Sequence, residues 1–460
     1  MYEQGCSRLE ADGDGWILDR LRGLEKVISQ EMVDEALRAS GKVSQHRCTL
    51  TSEVMMWVVL AMGLFTEMPI RQVFRHSRRL RENETTPARS SLCLARQRLG
   101  AQPLRELYRQ VIRPLATEST PGAFYKGLRL VALDGTILEI PDCEALQHVG
   151  RSSGSRGEGP FPQIRKVSLT EIGTHVELGF VYGGWSEGEK KLAERLWPSI
   201  PDDALLIEDR GFFSYKHWKM LHEHHRLLIR IQKSMVFTPA AVLGDGSFLA
   251  FIYPSNWYRK NNKQGILVRV IEYTLDDSQR TGHGEVHRLM TNLLDAEAFP
   301  ALELICLYHE RWEAELVYDE QKTHQDPCRA EKTTNLRSET LEGIEQELYA
   351  LSLGHFVIRA LMFEAAKTCG IDPDRLSFKG CFQVIKCRLP ECQPDPRATF
   401  ENWYRCLLNE LCQEQIPPRR NRINPRVIKR KMSRWTKARP QHRKLTPLTK
   451  TFIQSVVMKN

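Results

Sequence analysis

Apolar and polar positions recur along this chain with two different periods, and the change between them falls near Gly127. Before it, LDRLRGLEKVI, QEMVDEALRAS, SEVMMWVVLAMGLF and PLRELYRQVIRPLA carry apolar residues at three- and four-residue spacing, which predicts a helical region. After it, LRLVAL, KVSLTEI and THVELGFVYGG read as strands, the last two joined by a Gly-containing turn as a hairpin. A polar helix (EGEKKLAERLW), a strand (ALLIED), a helix (SYKHWKMLHEHH) and a strand (RLLIRI) follow, making an α/β layer. From Gln232 to about Leu294 the signals are mostly β (FLAFIY, ILVRVIEYTL, VHRLMTNLL), as though a small β unit stood before the next helix. That helix opens near Pro300, a favoured first-turn residue, and runs to about Thr323. LEGIEQELYALSLGHFVIRALMFEAAK predicts a long amphipathic helix, and LSFKGCFQVI opens another helical segment. The fold class is α+β, and the pattern divides the chain into a helical region at 1–122, an α/β part at 123–231, a β-rich insertion at 232–297, a helix-bearing part at 298–335 and a helical region at 336–460.

Length and composition narrow the partners. A chain of 460 residues exceeds one ordinary core and suggests about three domains at about 150 residues each. The net charge of +9, from 66 Lys and Arg against 57 Asp and Glu, suits a polyanionic partner. The 12 cysteines are scattered with no C-x-x-C pair, so a structural zinc or redox motif is not expected, and the thiols read as reduced in a cytoplasmic protein. The opening MYEQGCSRLEADGDGW lacks the basic start and apolar core of a secretory signal. The longest apolar run, Val54 to Phe65, falls short of the ~20 residues that span a bilayer. A buried helix, and no membrane partner, is the expectation.

The position of the positive charge says more than its size. IRQVFRHSRRLRENETTPARSSLCLARQRLG crowds Arg71, Arg75, Arg78, Arg79, Arg81, Arg89, Arg96 and Arg98, and Ser90 or Ser91 is placed to cap a helix presenting Arg96 and Arg98. The stretch from Arg419 to Lys444 contains no Asp or Glu and includes Arg426, Lys429 and Arg430. It has the charge of a nucleic-acid contact, while a solvated basic tail has the same composition. HVGRSSGSRGEGPFPQ reads as a Gly- and Ser-rich loop, a spacer or a mobile arm, with Arg151, Arg156 and Arg165 in reach of phosphates or of solvent alone.

The most specific chemistry lies in YHERWEAELVYDEQK, where Tyr308, Arg311, Glu315 and Lys322 are spaced three, four and seven apart. At about 100° per residue these four fall within an arc of roughly 60° on one helix face. A carboxylate flanked by two cations suits a phosphodiester held by metal, and an exposed helix with an Arg311–Glu315 pair is the plainer alternative. Asp134, at the end of an apolar strand in LVALDGTILEI, and Asp209, after ALLIE in DRGFFSYKHW, are strand-end carboxylates that alone would read as turn or capping residues. Two of these with a helix-borne Glu make a two-metal oxygen set, which favours Mg2+ or Mn2+ over zinc. Asp319, one turn after Glu315, is the local rival ligand.

With these residues on the page, the chain resembles the insertion sequence 4 family of bacterial DDE transposases. The resemblance covers nearly the whole length: the helical start through GLFTEMP, the LDGT and DRGF segments, the Y-x2-R-x3-E-x6-K helix and the PRVIKRKMSRW stretch. It implies a ribonuclease-H-like catalytic core with a β-rich insertion between the second Asp and the Glu, a helical N-terminal DNA-binding domain, and a helical, basic C-terminal region. It implies Asp134, Asp209 and Glu315 as the catalytic and metal-holding triad for two Mg2+ or Mn2+ ions, with Tyr308, Arg311 and Lys322 engaging DNA near the cleaved phosphate. Double-stranded DNA is the implied partner, bound as transposon ends and target by a homodimer on paired ends, and Arg96, Arg98, Arg426, Lys429 and Arg430 are candidate DNA contacts. Relatives stack a flipped base on aromatic residues; Trp257, among basic groups in YPSNWYRKNNK, is a candidate for that role, although a buried core Trp is the expected reading. Trp312 is expected to pack. A nuclease with the same site and a silent DNA-binding descendant are the rival functions; a glycosidase fits less well, since Arg and Lys beside the carboxylates match phosphate better than a neutral sugar.

Overall fold

The structure is a computed structural model describing residues 19–46, 48–78, 85–154, 157–278, 283–326, 334–392, 397–417 and 450–459. The first part folds as expected into helices: α1 (Gln30–Ala39), α2 (Ser52–Leu64), α3 (Ile70–His76), α4 (Arg89–Leu99) and α5 (Gln102–Val111), preceded by one 3-10 turn at Arg22–Lys26. Ser29 and Thr51 cap α1 and α2 by accepting from Met32 N and Val54 N. The expected cap at Ser90 or Ser91 is corrected: α4 begins earlier, with Ala88 at its N-cap and no side-chain cap.

A mixed sheet occupies the centre. Its strands are β1 (Phe124–Tyr125), β2 (Leu128–Glu139), then, after a small hairpin of β3 (Ser153–Gly154) and β4 (Gly157–Glu158), β5 (Gln163–Glu171), β6 (Val176–Gly184), β7 (Ala204–Glu208), β8 (Arg226–Arg230), β9 (Ala241–Val242), β10 (Phe248–Ile252), β11 (Ile266–Leu275), β12 (His287–Thr291) and β13 (Val456–Met458). The order is β6-β5-β2-β7-β8-β12-β11-β10-β9, with β1 on β2 and β13 on β11. β2, β7 and β8 run parallel, and β5, β6 and β12 antiparallel to their neighbours. The β-rich segment therefore is not a unit apart: β12 pairs with β8 and carries the same sheet onward. An unpaired edge on β8, whose middle residues Leu227, Leu228 and Ile229 are buried, would leave a row of peptide groups without partners, which β12 removes.

Both faces of the sheet are covered, so the parallel strands are apolar almost throughout. On one face Val131, Leu133, Leu206 and Ile229 pack with Leu192 of α6 (Glu189–Glu194) and with Trp218 and Leu221 of α7 (Tyr215–Leu221). Within the extended β unit lies the short α8 (Asn256–Lys260). On the other face Leu130, Ala132, Leu205, Ile207 and Leu228 pack with Leu304, Ile305 and Tyr308 of α9 (Ala301–Glu310) and with Ala314 of α10 (Trp312–Asp319). Arg269 of β11, fully buried, binds Asp245 and the Phe299 carbonyl, and Asp245 Oδ2 accepts from Ala301 N at 2.8 Å. The inserted β segment thus caps and positions the start of α9.

The helical regions at the two ends of the chain share one core. Leu92, Leu104 and Leu107 belong to the same apolar cluster as residues of α11 (Leu341–Cys369), α12 (Phe378–Arg388) and α13 (Arg397–Leu411). α2 is buried on every face from Val54 to Leu64 and crosses α11 where both are glycine: at Gly63 and Gly354 the backbones meet, and a methyl at 63 would run into the Ala350 carbonyl. By length and composition α11 would suit a bilayer, yet 78% of its most apolar window is buried inside the protein. Cys369, at its end, is bonded to Cys412, 43 residues on, which corrects the expectation that the cysteines are all free. The chain closes with α14 (Phe452–Ser455) against α9 and β13 on β11, so residues 450–459 return to the sheet after the basic stretch.

Candidate active site

Asp134 lies in the middle of β2, not at its end as expected. β5 pairs with β2 along Val131–Glu139, holding the strand extended through Gly135, whereas the parallel partner β7 stops at Glu208, opposite Leu133. Asp134 is therefore the first β2 residue beyond the end of β7, and Asp209 follows directly on β7. The turn after Asp209 is anchored from below. Trp197 Nε1 donates to His217 Nδ1 at 3.2 Å, so the neutral ring carries its proton on Nε2 and donates it to buried Glu208, 2.8 Å away.

The helix over these carboxylates is not the single run expected from Pro300 to Thr323. It is interrupted at Arg311 between α9 and α10, and a π-helical stretch follows at Glu320–Gln325. Wider turns of this kind change which side chains face the sheet and recur at functional sites. Arg311, with 9% of its side chain exposed, sits among the acids: its guanidinium lies 3.7 Å from Asp134 Oδ2 and 3.3 Å from Glu315 Oε1. Tyr308 Oη donates to Asp209 Oδ1 at 3.3 Å. Burial pushes the Asp134 carboxyl above its usual range, Arg311 and the Gly135 N–H pull it down, and Glu189 and Asp209 push it further up. Burial likewise raises the Tyr308 phenol, keeping it a proton donor. The structure so links Asp134 on β2, Asp209 after β7, Tyr308 on α9, Glu315 on α10 and Arg311 between the two helices.

Other predicted residues stand elsewhere. The Lys322 ammonium is turned onto β2, donating to Thr136 Oγ1 at 2.8 Å and the Ile137 carbonyl at 2.6 Å, and burial lowers its pKa. Arg96 is bound to Gln346, Ser338 and the Gly343 carbonyl at the start of α11, so its guanidinium is engaged within the fold. Arg98 is exposed on the same helix as Leu94, and Arg71, Arg75 and Arg89 are exposed nearby. Arg426, Lys429 and Arg430 lie outside the described residues, as do Arg79, Arg81 and Arg156. Arg151 pairs with Asp142 and Arg165 lies over the Trp185 ring. Trp257 is 57% exposed on α8 with Lys263 over its ring at 5.6 Å, which corrects the core reading; Trp312, expected to pack, is 40% exposed beside Arg311. Asp319 is paired with His324 at 3.6 Å.

Sequence reasoning missed two neighbours of the acids. Glu189, at the start of α6, brings its carboxylate against Gly135, close enough that a methyl there would lie 3.1 Å from it. Tyr318 Oη donates to the Asp134 carbonyl at 2.7 Å and holds α10 to β2. Neither had a signal in spacing, because each reaches Asp134 only through the fold. Asp134, Asp209, Glu315 and Glu189 supply oxygen donors alone, which fits a hard divalent cation.

Comparison with known proteins shows the family. Residues 18–109 match the insertion element 4 transposase N-terminal family, and residues 125–354, half of the chain, match the transposase DDE domain. The chain is 29% identical over 415 residues, 89% of its length and 92% of the relative's, to the transposase InsG for insertion sequence element IS4 of Escherichia coli (strain K12). It is 28% identical over 189 residues to the putative transposase InsZ of the same organism, covering 40% of this chain and 62% of that one. Among solved structures, the piggyBac transposase synaptic complex with hairpin DNA matches over 86% of this chain and 85% of that one, at 11% identity and a TM-score of 0.42. With one family match falling on the helical start and the other on the segment that runs from β1 through α10 into α11, the chain belongs to the insertion sequence 4 family of DDE transposases.

Proposed function

We propose that this chain is a DNA transposase that binds the terminal inverted repeats of its element, cleaves them and joins them to target DNA. Its catalytic core is of the ribonuclease-H-like kind, a reading supported by the strand order β6-β5-β2-β7-β8 with β2, β7 and β8 parallel. Asp134, Asp209 and Glu315 hold two Mg2+ or Mn2+ ions; their oxygen-only donor set supports that assignment. When bound, such ions activate the attacking oxygen and stabilise the leaving oxygen of a phosphodiester displacement.

The residues around them have separate tasks. Arg311 lies between Asp134 and Glu315, and this single observation carries the reading, since one buried guanidinium ties the carboxylates of β2 and α10 together before DNA arrives. Facing a phosphate, the same fork donates to its oxygens. Tyr308 holds Asp209 through its phenol, fixing the second strand's carboxylate beneath the helix. Lys322 secures the π-helical stretch to β2 and meets DNA only by leaving Thr136 and Ile137. Exposed Arg71, Arg75, Arg89 and Arg98 supply phosphate contacts from the helical start, Trp257 a stacking surface from α8, and the basic stretch with Arg426, Lys429 and Arg430 a further contact. Two ends are paired by a homodimer on DNA.

The test is cleavage of DNA carrying the element's own ends, with Mg2+, by the wild type and by Glu315→Gln. The variant is expected to bind the ends with unchanged affinity and to cut below detection. Undiminished cutting would remove Glu315 from the site.

A further inference from the structure

Beneath the helix that carries Glu315, a second set of side chains converges. His175 leaves the β5–β6 turn with φ at 58°, Glu313 comes from the first turn of α10, and Asp374 from the 3-10 turn Pro373–Arg375 after α11. One ligand atom of each lies within 4.8 Å of the others. His175 Nε2 is 2.9 Å from Glu313 Oε2 and 3.4 Å from Asp374 Oδ1, yet it makes no hydrogen bond of acceptable geometry to either. The ring itself is fully buried. Behind it, Nδ1 lies 3.3 Å from Glu320 Oε1, a carboxylate held in place by Arg359 and His355. A carboxylate lies behind one ring nitrogen and two carboxylate oxygens ahead of the other, the placing in which a metal-ligating histidine gives Nδ1–H to the rear acceptor and turns its Nε2 lone pair forward; without an ion Arg359 Nη2 donates to Nδ1, so the ring proton sits on Nε2 and faces Glu313.

We propose that His175, Glu313 and Asp374 form a second divalent-cation site, separate from Asp134, Asp209 and Glu315, that takes a transition-metal ion such as Zn2+ or Mn2+. The imidazole ligand disfavours Mg2+ and Ca2+, which prefer oxygen alone. The ion joins three segments distant in sequence: the β5–β6 turn, the chain after α11, and α10 two residues before Glu315. Arg359 Nη2 now lies 2.6 Å from Nδ1. In the loaded site that contact gives way to Nδ1–H donation, while Arg359 keeps Glu320, to which both its Nε and Nη2 already donate. An imidazole proton shared by the two carboxylates, with no ion, is the competing arrangement.

The test uses the full chain with Asp134→Asn, Asp209→Asn and Glu315→Gln, so that ions held by the proposed active site do not contribute and the two readings fail separately. After chelation and desalting, Zn2+ or Mn2+ is added, bound metal is counted by elemental analysis after gel filtration, and Tm is followed against ion concentration. One ion per chain and a Tm that rises with the ion are expected, together with at least tenfold weaker binding on adding Asp374→Asn. X-ray absorption at the zinc edge is expected to report one imidazole nitrogen. The Tm titration of the triple variant stands even where Asp374→Asn impairs folding. No retained ion with an unmoved Tm, or binding undiminished in Asp374→Asn and in Glu313→Gln, overturns the site and favours the shared proton.

Discussion

Arg96 and Arg98 sit two residues apart on α4 and have opposite fates. Arg96 is mostly buried and bonded to three groups at the start of α11, while Arg98 faces solvent. Arg96→Ala is therefore expected to lower stability by about 2–3 kcal/mol, since it strips a charge-assisted donor from buried acceptors, and urea unfolding measures it. Arg98→Ala is expected to leave stability within about 0.5 kcal/mol and to weaken binding to end DNA. A buried pair gives a second expectation. Lys166 and Glu177, each 1% exposed at the side chain, meet at 2.7 Å among Ser168, Ser352 and Gln321. Burial pushes Glu177 up, but Lys166 outweighs it and holds the carboxyl below its ordinary 4.5. A depressed carboxyl stabilises the fold above its unfolded value and loses that contribution as pH falls through the folded one. Glu177→Gln should cost about 3–5 kcal/mol at neutral pH by leaving Lys166 unneutralised, and should reduce the loss of stability below pH about 4.5, read from denaturant midpoints across pH.

At the scale of elements, the contact between α2 and α11 binds the start of the chain to the helix that follows the segment bearing Glu315. Gln325, at the end of the π stretch, donates to both the Gly63 and Leu351 carbonyls at 2.8 Å, so the crossing is wired to the helix bearing Glu315. Gly63→Ala is expected to cost about 1–3 kcal/mol by forcing these backbones apart, seen as a lower Tm. Leu or Val at the same position should prevent folding. Element type was legible here from periodicity, because α2, α11 and the parallel strands each bury a face or a whole surface. Element breaks were not: nothing in the spacing of Tyr308, Arg311, Glu315 and Lys322 foretold the interruption at Arg311 or the π turn. In the fold, Tyr318 and Lys322 on either side of the start of the π turn donate to β2 carbonyls.

For the whole molecule, the basic stretch at 419–444 is not a free end. Before it, Ile416 N donates to the Arg375 carbonyl at 2.7 Å; after it, Lys450 pairs with Asp276, Phe452 stacks on His309 of α9, and β13 joins β11. Deleting everything after residue 418 would thus remove packing on α9 along with the charge. The informative change is replacement of the Lys and Arg between 419 and 444 by Gln. It is expected to weaken DNA binding and flatten its dependence on salt, because fewer phosphate contacts release fewer counterions. A salt slope equal to that of the wild type would take the stretch out of the DNA contact.

Local order and chemistry type were determined by the sequence alone. Apolar period distinguished helix from strand, the Y-R-E-K spacing marked one helix face, and the acid contexts LDGT and EDRG marked two strands. These signals are legible because each depends on residues within a few turns of one another. What only the tertiary structure decided is which side chains share a volume: that Arg96 serves α11, that Lys322 serves β2, that Glu189 stands beside Asp134, and that the two ends of the chain share one core. Each of these pairs joins residues tens to hundreds of positions apart. Their meeting depends on sheet order and helix crossing, which composition and spacing do not encode.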